Sequence, residues 1–151
     1  MRDDEWLGNK MYYLWENYFV DVPRLNNVII KFGKKSKRQL GCIGWLNKTT
    51  KRIEKIMNGQ GQADHKKTTL INITSFFKDE NIPEEVVTST IAHEMCHYAH
   101  GFNSPLSQIY NHPHKGGLIR KEFQKRGLGD LHKFSKKWLK TSWLEYLKNN
   151  T

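Results

Sequence analysis

The residues best equipped to do chemistry in this 151-residue chain lie together at His93-Glu94-Met95-Cys96-His97. On a helix each residue turns by about 100°, so His93 and His97 stand one turn apart on one face and can converge on a single ion. Glu94 lies to the side of that pair. It is too far round to be a natural third ligand but can reach a water in the ion's open position, the arrangement that H-E-x-x-H exploits. Two neutral imidazoles and a third protein ligand leave zinc one site for water, whose pKa falls to around 7. Glu94, as general base, would take that proton and hand it to a leaving amine. With seven His and nine Glu in the chain, chance supplies the motif in roughly 2% of shuffled sequences before a helix is also required.

The third ligand has several candidates. His100 shares the face of His97 but is about two turns from His93 and at a fraying helix end, so coordination by all three is strained. A pattern with the third His ten positions after the first is excluded, because Asn103 stands there. Glu122 could project from a downstream helix. His112 and His114, around Pro113, could swing to the ion from the end of an irregular connection, and His114 stands where the next helix begins.

The elements that must position these groups follow from periodicity. Leu7, Met11, Leu14, Trp15 and Tyr18 recur at helical spacing, and Val22-Pro23 marks the stop. Val28–Phe32 is β-branched and bounded by Asn and Gly, a strand. A second strand begins near Gln39, its Gly41 and Gly44 suggesting close backbone approach or a bulge. Asn47–Thr50 can turn the chain into a strand over Arg52–Met57, followed by a polar loop to Lys67. Thr68–Ile73 is a further short strand. Pro83, Glu84 and Glu85 open a helix that Gly101 closes near residue 100. Residues 102–113 form a connection and helical pattern resumes near Lys115. After a turn at Gly127–Asp130, a last helix carries Leu131, Phe134, Trp138, Leu139 and Trp143 inward. The expected class is α+β: an N-terminal helix, a small N-terminal sheet of antiparallel type, the helix bearing the motif and two further C-terminal helices. At 151 residues, with five Trp, six Tyr and seven Phe, residues 1–151 suffice for one domain with a real core.

Composition narrows the partners. The formal net charge is +10, and it is clustered. Lys31 to Lys55 holds nine basic residues, among them Lys34, Lys35, Lys37, Arg38, Lys51 and Arg52, against Glu54 alone. Lys115 to Lys148 holds ten, including Lys136 and Lys137, against three acids. Such fields attract phosphate backbones through counterion release, and those eight residues are the expected nucleic-acid contacts. Trp138 and Trp143 fit core packing better than base stacking. Cys42 and Cys96 are far apart with no CxxC pair, and the first residues lack signal-peptide character, so two reduced thiols in an intracellular, cytoplasmic protein are expected. No apolar run approaches the ~20 residues needed to cross a bilayer.

With these residues in hand, the chain resembles the SprT-like zincins, the group that includes the DNA-dependent protease Spartan, over roughly residues 10 to 130. Lys37-Arg38-Gln39-Leu40-Gly41 looks like the family's basic, Gly-containing strand. Thr69 to Ile73 followed by Pro83-Glu84-Glu85-Val86-Val87 looks like its strand and helix entry, and His93 to His97 is its catalytic signature. The family's third ligand opens an H-G-x-x-aromatic segment with a Gly thirteen residues on. Here His114-Lys115-Gly116-Gly117-Leu118 keeps an apolar residue four after the His and Gly127 at thirteen, with the Gly displaced by one and Leu in place of the aromatic. That register favours His114 over His112. The resemblance implies a zincin-like fold and a zinc endopeptidase acting on proteins associated with or crosslinked to DNA. This chain has none of the paired CxxC motifs of the zinc ribbon that many such proteins carry, so any DNA contact falls to the basic surface. Two other readings are a basic DNA-binding protein with a structural zinc site, and a zinc peptidase with no nucleic-acid role.

Overall fold

A computed structural model describes residues 1–46 and 67–151. The expected turn at 47–50 and strand over 52–57 lie outside the described residues, as do Lys51 and Arg52. The chain is α+β, with four helices and a small sheet among the described residues. Helix α1 spans Asp4–Tyr18. It starts where the Asp3 carboxylate accepts from the Trp6 amide at 2.8 Å, satisfying one of the free amides of the first turn. Its Leu7, Met11 and Leu14 are buried at the predicted spacing, with Trp15 and Tyr18 half-buried.

The three described strands are β1 (Val28–Phe32), β2 (Gly41–Trp45) and β3 (Thr69–Ile73), in the order β1-β3-β2. β2 and β3 form the expected antiparallel pair, from Gly41↔Ile73 to Trp45↔Thr69. β1 runs parallel to β3, Val28 opposite Thr69, so the sheet is mixed. The period-2 pattern decides which face is covered: Val28, Ile30, Thr69, Ile71 and Ile73 are buried, and the residues between them on β3 are half-buried.

Helix α2 (Glu84–Ala99) is covered on several sides, packing against α1, β2 and the last helix. Its Val86, Val87, Ile91, Ala92 and Met95 are essentially inaccessible, and burying each of the larger ones contributes about 1.5–3 kcal/mol. α2 ends because Gly101 takes φ +85° and because a Cβ there would lie 2.4 Å from the Ser107 carbonyl oxygen. Glycine alone meets both conditions.

Lys115–Gly117 forms a 3₁₀ turn, with Gly116 and Gly117 at φ +71° and +69°. It delivers the chain into α3 (Leu118–Lys125), and α4 runs from Gly129 to Asn150. On α4, Trp143 is buried and Leu131, Trp138 and Leu139 are half-buried, whereas Phe134 is 44% exposed. Phe134 lies nine positions before Trp143, about 180° round the helix, which corrects its inward assignment. Trp143 packs edge-on against Phe76 and Phe77, as expected of a core residue. Among the described residues no helix is long and apolar enough to cross a membrane, and both cysteines are free thiols.

Candidate metal centre

α2 carries His93 and His97 to the floor of a cleft of about 770 Å³, walled by β2, α4 and the segment leading into α3. His114, at the end of the 101–114 connection, brings its Nε2 to 3.2 Å from His93 Nε2 and 3.0 Å from His97 Nε2. All three ligand atoms lie within 4.8 Å of one another. Hydrogen bonding cannot account for this convergence. His114 Nε2 has either one proton or one in-plane lone pair, so it cannot make two good bonds to two ring nitrogens. A shared cation takes all three lone pairs, and tetrahedral sites with ~2.0–2.1 Å bonds place their nitrogens roughly 3.3 Å apart. The three histidines can therefore hold a metal ion.

The two rings carried by α2 are in the protonation state that coordination needs. Burial, reinforced by His114 and His132, lowers His93 to about 4. Burial with the neighbouring histidines lowers His97 to about 3. Both are neutral imidazoles at pH 7. His97 Nδ1 is buried with no hydrogen-bond partner among the described residues.

Glu94 is 5% exposed, and burial alone pushes its carboxyl up to about 8. The main chain of β2 covers it closely: a Cβ on Gly41 would lie 3.1 Å from Glu94 Oε2 and 3.0 Å from Thr90 Cγ2. Close approach is thus the function of Gly41, while a Cβ on Gly44 meets nothing within 4 Å among the described residues.

The raised carboxyl has a consequence for the metal-free chain. A carboxyl whose folded pKa lies above its unfolded value disfavours folding progressively as pH rises between the two, here from about 4.5 to about 8. The lowered histidines act oppositely, but most of their contribution is in place by pH 6.5, and what they gain above it is smaller than what Glu94 loses. Between pH 6.5 and 8, chelated protein should therefore lose stability, Glu94 accounting for on the order of 2 kcal/mol. Glu94→Gln should remove that slope. Urea unfolding at pH 6.5 and 8 checks it; parallel slopes in parent and variant would rule it out.

The rival ligands are engaged elsewhere or distant. His100 is buried with Nε2 3.0 Å from Glu122 Oε1. Glu122 also accepts from Arg126 Nε at 2.7 Å, and Arg126 pairs with Asp21 at 2.6 Å. Despite its burial, these partners hold Glu122 below the usual carboxylate range. This network ties the end of α2 to α3 and to the segment after α1. His112 is exposed and outside the cluster. Tyr98 donates to Asn26 Oδ1 at 2.6 Å within the core, and Tyr110 packs on His100, so neither lines the cleft.

The cationic candidates divide. Arg38 and Lys136 line the cleft. Lys34, Lys35, Lys37 and Lys137 are exposed outside it, with Lys35 Nζ 5.3 Å above the Phe76 ring. Trp143 Nε1 donates to the Lys37 carbonyl at 3.0 Å, which joins α4 to the segment before β2 and brings the described part of the first basic cluster beside the second. Arg120 and His132, not singled out by the sequence reading, also line the cleft. The available signal was the i, i+3, i+4, i+7 spacing of His132, Ser135, Lys136 and Leu139, all on the cleft face of α4.

The chain matches no family model, no curated protein and no solved structure. What the centre can do therefore follows from its own geometry.

Proposed function

We propose that the chain is a zinc-dependent endopeptidase of the SprT-like kind, acting on proteins associated with or crosslinked to DNA. The observation that supports this reading most directly is a buried carboxyl, Glu94, on the same cleft floor as three converging imidazoles. His93, His97 and His114 would hold the ion, an all-imidazole set that suits zinc. Zinc bound there supplies a Lewis acid for the scissile carbonyl and a charge that eases deprotonation of both water and Glu94.

Glu94 then accepts the proton of the attacking water on a carboxylate oxygen and delivers it to the leaving amine nitrogen. The Gly41 main chain fixes where that carboxylate can lie. Gly41→Ala is accordingly expected to displace it by a few tenths of an ångström and slow peptide hydrolysis about tenfold, with Gly44→Ala unaffected; steady-state rates on one peptide decide this.

β2 offers a place for an extended substrate. Thr74 N donates to Leu40 O and Leu46 N to Thr68 O, so the even-numbered backbone groups of β2 face β3. Those of Gly41, Ile43 and Trp45 face away. Asn103 Nδ2 donates to the Ile43 carbonyl at 3.1 Å, and among the described residues the Gly41 groups are left beside Glu94, positioned to pair with a peptide backbone.

The DNA half of the reading draws support from the neighbouring basic segments joined through Trp143. Its test is cleavage of a DNA-bound protein across salt. About four phosphate contacts would lower DNA affinity about 10²-fold between 50 and 200 mM salt, with stimulation of cleavage fading in parallel. Salt-independent binding would leave a peptidase without a nucleic-acid role.

A further inference from the structure

Among the described residues lining the cleft, Glu94 is the one carboxylate, whereas three cations come from three separate elements. Arg38 precedes β2, Arg120 lies in the first turn of α3 and Lys136 is on α4. All three are exposed, and among the described residues none has a carboxylate partner. Arg126, by contrast, is fully engaged with Glu122 and Asp21.

Arg120 is placed close to the triad. Its Nη2 lies 3.5 Å from where a Cβ on Gly117 would stand, so the guanidinium rests over the backbone three residues beyond His114. On the facing helix, burial and then the charges of Lys136 and Arg120 hold His132 below its ordinary value, which places both cations within electrostatic reach of one ring on the cleft wall.

We infer that this cleft accepts acidic peptide segments, with Arg120, Lys136 and Arg38 reading carboxylates that flank the bond presented to Glu94; the inference rests on the peptidase reading. A cationic wall repels Lys- and Arg-rich stretches and concentrates acidic ones. A basic DNA-binding protein would thus be cut within an acidic or neutral segment, not within the stretch that grips DNA. A phosphodiester could satisfy the same cations, but the cleft is also walled by β2, whose Gly41 backbone groups face away from β3 and can pair with a peptide main chain, not with a sugar-phosphate one. The volume, about 770 Å³, suits a few peptide residues.

The test uses the zinc-loaded full chain and two quenched fluorogenic peptides, identical except for Glu or Lys pairs flanking the central bond. The Glu peptide is expected to show about tenfold higher kcat/KM at low salt, narrowing as salt rises, the sum of a few exposed ion pairs. Arg120→Glu with Lys136→Glu should reverse the preference. Both positions are exposed, and Arg38→Glu supplies an independent variant should the double change fail to fold. Equal rates, or a Lys preference in the parent, overturn the inference and leave the peptidase reading standing. If neither peptide is cut, fluorescence anisotropy with zinc-loaded Glu94→Gln decides. Tenfold tighter binding of the Glu peptide, lost on charge reversal, upholds the cleft assignment while the peptidase reading falls. Binding of a single-stranded oligonucleotide with no binding of the acidic peptide overturns the inference in favour of nucleic acid.

Discussion

Glu94→Gln is expected to bind zinc as the parent does and to hydrolyse protein about 10²–10⁴-fold more slowly, the usual contribution of a positioned general base. The amide keeps the shape of the side chain against Gly41 but cannot accept the proton. Because Glu94 lies on the same floor as the three imidazoles without belonging to the ligand cluster, loss of activity with unchanged zinc content separates proton transfer from metal retention. Parent-like proteolysis by this variant would sink the proposed mechanism.

His114→Ala should act on the other half of the centre. At a zinc concentration a hundredfold above Kd, binding stabilises a folded chain by about 2.7 kcal/mol, or roughly 5–11 °C in Tm for a domain of this size. The variant should lose that zinc-dependent rise and bind zinc at least about 10²-fold more weakly, since changing even an outer-shell partner of a ligand costs 10–100-fold. Its metal-free Tm should stay near the parent's, because His114 is exposed. His112→Ala should keep the full rise. Scanning fluorimetry with and without zinc checks both; a rise that follows His112 would reassign the ligand.

Much of this centre is legible in the sequence because local rules govern it. Helical spacing alone puts His93 and His97 on one face, and Pro83 and Gly101 bound the helix within a residue or two of its observed ends. The ligand from the connection is less legible, since its direction depends on two consecutive left-handed glycines, Gly116 and Gly117, that no periodicity announces. The sheet's parallel pair was hidden for a related reason: β3 enters between β1 and β2, and insertion order is set by long-range packing. Glu122 looked available as a ligand because one of its partners, His100, lies 22 residues earlier in the chain, and because the other, Arg126, is four residues on but is itself held by Asp21, 105 residues before it. Likewise the cationic cleft wall draws on Arg38 and Lys136 from opposite ends of the chain, and a tertiary hydrogen bond from Trp143 to Lys37 brings those segments together.

The placement of the third histidine bears on more than chemistry. His93 and His97 belong to one rigid helix, but His114 is reached through a connection that leaves α2 at Gly101, and it lies 17 residues beyond His97. A metal ion held by all three is a non-covalent cross-link closing that loop, and it narrows the conformations open to the loop in the folded chain for as long as the ion stays bound. The mouth of the cleft is thereby tied to the core through the ion. A chain stripped of metal would keep its helices, its sheet and the contacts that hold Ser104, Ile109 and Tyr110 to the end of α2, while His114 lost its tie to the helix, so occupancy and the shape of the entrance form one equilibrium.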